Sequence, residues 1–96
     1  MALTDSREKI DPIDLQLTQL LTQRLAISKE IAQVKVAEHI PLTNKEREQE
    51  VYARVTQDAT PEVQPYLRTL FEDIILVSKQ YQAHQIQLIN DQENPK

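Results

Sequence analysis

Arg24 sits between Leu20 and Ile27 in an apolar row at helical spacing, where a guanidinium is costly unless an anion meets it. No acid lies three or four residues away on either side, so the anion must come from another segment or from a ligand. Lys35 follows after a rotation of ~1100°, which returns it to within about 20° of the same face, ~16 Å further along. Two cations on one apolar face, reaching toward each other, suit a small dianion. The alternative pairs Arg24 with an acid on a neighbouring helix and lets Lys35 extend to solvent. Ser78 and Gln82 interrupt the row Phe71, Ile75, Ser78, Gln82, Ile86 and place a hydroxyl and an amide on one patch. Both can donate to an anionic or ether oxygen whatever the pH, unless the pair simply decorates a solvent face. Asn44, Arg47 and Glu48 occupy the first turns of another helical segment, whose N-terminus favours an anion. An ordinary charged first turn would look the same.

Composition removes most other chemistries. The 96 residues include no Gly, no Cys and no Trp. Without Gly there is no phosphate-cradling P-loop, no dinucleotide fingerprint and no glycine nucleophile elbow, since each needs a backbone that a Cβ would block. Without Cys there is no disulfide scaffold, thiolate zinc site or cysteine nucleophile. Eleven basic residues against fifteen acidic give a net charge of −4, which argues against a duplex-DNA binder. No apolar run approaches the ~20 residues of a membrane span, and the opening MALTDSREKIDPID lacks a signal-peptide core. A soluble, cytoplasmic helical domain is expected.

Three helices must position the polar residues. The row Ile10, Ile13, Leu17, Leu20, Arg24, Ile27, Ile31, Val34 predicts a first helix over about 6–38, with Pro12 tolerated near its start and Pro41 beyond its end. Such a helix is roughly 50 Å long at ~1.5 Å per residue. A compact chain of this size has a radius of gyration of only ~13 Å. The rod therefore overhangs its own globule, and its apolar seam calls for a second chain: a homodimer. Thr43 and Glu46 read as a capping box opening a second helix over about 44–58. Thr60-Pro61 reads as the start of a third, over about 61–89, with Leu67, Leu70, Ile74, Val77 and Tyr81 as its stripe. Residues 90–96 form a polar tail expected to fray.

The order and spacing of these residues resemble an all-helical chorismate mutase. The likeness rests on Arg7-Glu8-Lys9-Ile10-Asp11, Ile13-Asp14, Gln23-Arg24-Leu25-Ala26 and Lys35, then Pro41, Asn44-Lys45-Glu46-Arg47-Glu48, Ser78 and Gln82. It covers about residues 6–85, nearly the whole chain. It implies an all-α fold, an intertwined homodimer of three-helix protomers, and a single monofunctional domain over residues 1–96. It also implies rearrangement of chorismate to prephenate on the route to phenylalanine and tyrosine, without cofactor or metal. By the same resemblance Arg24 binds one substrate carboxylate, and Arg7 reaches from the partner chain to another. Lys35 and Gln82 flank the ether oxygen, and Glu48 accepts from the ring hydroxyl. Ser78 and Arg47 complete the polar lining. Where the family commonly carries an acid, this chain has Asn44, whose amide oxygen still accepts a hydrogen bond but brings no charge.

Two other readings share these residues. Isochorismate-pyruvate lyase uses the same scaffold on a similar dianion, although the adjacent Arg47-Glu48 is mutase-like. A non-catalytic helical dimer would keep Arg24 as a buried, register-setting charge.

Overall fold

Three helices account for the fold in a computed structural model that describes residues 2–93: α1 (Leu3–Glu38), α2 (Lys45–Thr56) and α3 (Gln64–Glu93). α3 packs on both α1 and α2, whereas α1 and α2 do not pack on each other. The protomer is a rod, 62 × 28 × 15 Å, with a radius of gyration of 17.4 Å. Among the described residues no helix is long and apolar enough to cross a membrane.

α1 begins at Leu3 rather than near Ser6, so Pro12 lies inside the helix and not in its first turn. Lacking an N–H, Pro12 leaves the Glu8 carbonyl without its intrahelical donor, a fault tolerable where the helix is wholly exposed. At the other end the chain turns through His39, which takes the left-handed conformation (φ 57°, ψ 43°) usually given to Gly. The His39 and Ile40 amides donate back to the Val36 and Lys35 carbonyls and close the last turn.

α2 is capped by Asn44, whose side chain accepts from the Arg47 amide at 3.0 Å. The expected cap was Thr43; the two are adjacent and chemically equivalent for this purpose, and Asn ranks above Thr. The helix ends at Thr56, short of residue 58. α3 starts at Gln64, not at Pro61. Residues 61–63 form a tight turn closed by Val63 and Gln64 amides on the Thr60 carbonyl. Pro65 explains the break, because it has no N–H to bond the Pro61 carbonyl and carry a helical ladder through. α3 continues to Glu93, so residues 90–93 are helical rather than frayed, while residues 94–96 of the expected tail lie outside the described residues.

The α1–α3 contact is built on small and polar residues. Ser28 and Ala32 of α1 are buried against Ile75, Ser78 and Gln82 of α3. The predicted apolar seam of α1 points elsewhere: Ile10, Ile13, Leu17, Leu20, Ile27, Ile31 and Val34 are each between 41% and 60% exposed. On α3, Leu70 and Val77 of the expected stripe are likewise exposed.

Candidate active site

Lys35 lies in the last turn of α1, beside the closure made by His39. Its Nζ donates to the Leu42 carbonyl at 2.7 Å and to Gln82 Oε1 at 2.9 Å. Because an ammonium only donates, it fixes the Gln82 amide with its oxygen toward Lys35. Gln82 Nε2 then donates to Ser78 Oγ at 3.1 Å, and Ser78 shares a 2.7 Å hydrogen bond with Ser28 Oγ. The two residues of α3 are 5% and 6% exposed, so the solvent-face reading of Ser78 and Gln82 does not hold. Every buried side-chain nitrogen and oxygen among the described residues has a partner.

Glu48, one turn into α2, receives Lys79 of α3: Nζ to Oε2 is 3.0 Å. The Lys35 ammonium feels both. Burial pushes its pKa below the ordinary lysine value, the nearby Lys79 charge pushes the same way, and Glu48 opposes them. Lys35, Gln82 and Ser78 thus form one hydrogen-bonded chain between α1 and α3, and Glu48, brought to α3 by Lys79, lies close enough for its charge to reach Lys35.

The other candidates stand apart from it. Arg24 is half-buried and lines an open cleft of about 550 Å³ between α1 and the first half of α3, among Leu20, Leu21, Leu25, Phe71 and Ile74. Asp73 also borders that cleft, yet Arg24 forms no ion pair among the described residues, so the pairing alternative is not what the protomer adopts. Arg47 pairs with Glu50 at 3.2 Å on the surface, and Asn44 is occupied as the α2 cap. Arg7 is exposed near the far end of α1, about 42 Å from Lys35 at 1.5 Å per residue.

Two contributors were not foreseen. Ser28 lies on the Arg24–Lys35 face, one turn after Arg24, and that spacing was the only available signal. Lys79, next to Ser78 and three residues before Gln82, looks in sequence like any surface lysine. The charge constellation is local: the chain as a whole is acidic, and no group of metal-ligating side chains occurs among the described residues.

The family model described as chorismate mutase type II matches residues 6–83, which include Lys35, Glu48, Ser78 and Gln82 as well as the outlying Arg7, Arg24 and Arg47. A chorismate mutase from Methanocaldococcus jannaschii is 36% identical over 53 residues, 55% of this chain and 54% of that protein. The match therefore spans about half the length of that relative. No solved structure gives a significant match. With most of its length, α1 to the polar half of α3, under one family model, the chain belongs to the chorismate mutase type II family.

Proposed function

We propose that the protein is a cytoplasmic chorismate mutase, rearranging chorismate to prephenate for phenylalanine and tyrosine biosynthesis. The observation that carries this reading is the part-buried Lys35–Gln82–Ser78 chain near Glu48, inside the family-matched segment. A [3,3]-sigmatropic shift breaks a C–O bond and forms a C–C bond within one molecule. It needs no nucleophile, metal or proton transfer, only a compact substrate conformer and donors where charge develops.

The residues present can supply both. Lys35 has three N–H donors, of which Leu42 and Gln82 take two, leaving one for the ether oxygen. Gln82 Nε2 has a second N–H beyond the one given to Ser78, and it is the second donor proposed for that oxygen. Glu48 accepts from the ring hydroxyl, with Ser78, Arg47 and Asn44 toward the same end. Arg24 takes one carboxylate.

Arg7 cannot join this site from its own chain, because the helix that carries it holds it too far away. A homodimer removes the difficulty and covers the exposed seam. Covering seven half-exposed aliphatic side chains at about 1 kcal/mol each gives roughly 7 kcal/mol per protomer, comparable with the whole stability of a typical domain. The three helices then act as a single domain whose site is completed by the partner.

The direct test is to add chorismate and follow its ultraviolet absorbance, identifying the product, with isochorismate run in parallel. Prephenate from chorismate is expected. No consumption by folded protein overturns the reading, and pyruvate release from isochorismate without prephenate formation would replace it with the lyase.

A further inference from the structure

The pair between Lys79 and Glu48 differs from the other ion pairs among the described residues. Arg47–Glu50 and Arg68–Glu72 each link one turn of a single helix to the next, with side chains about half exposed (49–55%). Lys79–Glu48 joins α3 to α2, at 3.0 Å, with side chains 26% and 20% exposed. Exposed pairs contribute little, whereas a part-buried one across elements fixes where its members point.

We infer that Lys79 is a positioning residue for the proposed mutase site, holding the Glu48 carboxylate toward the substrate hydroxyl and keeping the site cationic. This rests on the mutase reading above. Lys79 engages Oε2 of Glu48, and Oε1 accepts no side-chain hydrogen bond among the described residues, so it is free for the substrate. The charge balance makes the second half of the role. Lys35 and Glu48 alone cancel, which would leave the attraction for a dianion entirely to the arginines proposed for its carboxylates. Lys79 restores one positive charge at the cluster, next to Ser78 and one turn before Gln82. Burial alone does not account for the depressed Lys35 pKa, since the Lys79 charge contributes to it, which places the two ammonium groups in one electrostatic environment.

The test compares chorismate kinetics of Lys79→Met and Lys79→Arg, and of Lys79→Met added to Glu48→Gln. Lys79→Met should lower kcat/KM by on the order of tenfold, less than the ~10² a misplaced group can cost because the pair is partly exposed. Lys79→Arg, which keeps the charge and can still bond a carboxylate, should recover most of that loss. In the Glu48→Gln background the added Lys79→Met should cost less than in the wild type, since the positioning part of the role is already gone and only the charge contribution remains. A pH profile supplies a readout that mere support of the fold would not move. Lys35 is faced by Lys79 and the neutral Gln82 from α3 and by Glu48 from α2. Losing the Lys79 charge should therefore move the alkaline fall of kcat/KM to higher pH. If Lys79→Met does not fold, Lys79→Gln keeps a polar side chain without the charge and carries the same expectations. Wild-type kcat/KM in the neutral variants, or an equal loss in both Glu48 backgrounds, overturns the role alone. A wild-type protein inert on chorismate overturns the mutase reading and this role with it.

Discussion

Lys35 is held by two acceptors of unlike origin, a loop carbonyl and a buried amide, so its ammonium has almost no rotational freedom. That is the preorganisation an oxyanion-type donor needs, and removing one such donor commonly costs ~10²–10³ in rate. Lys35→Ala is therefore expected to keep the helical circular dichroism of the wild type and lose turnover on that scale. A variant that runs near the wild-type rate would take Lys35 out of the site. Its titration gives a second check. The folded pKa lies below the ordinary 10.5, chiefly through burial, so the charged form disappears at a lower pH than for a free lysine. Turnover that depends on the ammonium should fall as pH rises through that lowered value. Stability should move the other way: between the two pKa values the unfolded chain binds more protons, so this group's contribution rises with pH there. At this scale the sequence was informative wherever a polar residue interrupts an apolar row, as Arg24, Ser78 and Gln82 do. Ser28 and Lys79 interrupt nothing, and only the approach of α3 to α1 and α2 gives them partners.

α1 carries its two kinds of face in different ways, and only one was legible. A row of Ile and Leu announces itself by periodicity, but in the protomer it faces outward. The face that meets α3 is centred on Ser28 and Ala32, small residues that let two helices approach and leave hardly any hydrophobic signal. Helix existence and order were readable from the apolar spacing and from Pro41. Boundaries were not, because Thr43 and Asn44 are both good caps and Pro65 displaces the start that Thr60-Pro61 advertises. The end of α1 carries a testable cost. His39 occupies a left-handed position that disfavours any residue with a Cβ by roughly 1–2 kcal/mol. Gly relieves that cost but adds freedom to the unfolded chain, worth about 0.4–1 kcal/mol. His39→Gly is thus expected to stabilise by about 0.5–1 kcal/mol, read as a raised urea midpoint at unchanged slope.

Among the described residues the only buried apolar side chains are Ala32, Tyr52 and Ile75, and residues 2–23 are exposed throughout. Set against an ordering cost of about 1–2 kcal/mol per residue, so little burial is what the proposed dimer would make up. The proposed dimer should run at twice the protomer's 11.2 kDa in sedimentation, with an unfolding midpoint that climbs as protein concentration rises. Leu20→Glu, harmless on a protomer where that side chain is 60% exposed, should abolish the dimer by burying a charge in the seam. A midpoint independent of concentration would refute the assembly. The separation of Arg7 from Lys35 along one helix has a genetic consequence. Two alleles, Arg7→Ala and Lys35→Ala, would each be inactive alone, yet a mixed dimer has one site in which both defects are absent and one in which both fall together. Random assortment of equal amounts should restore about a quarter of the wild-type sites, so two null alleles would complement each other in one cell.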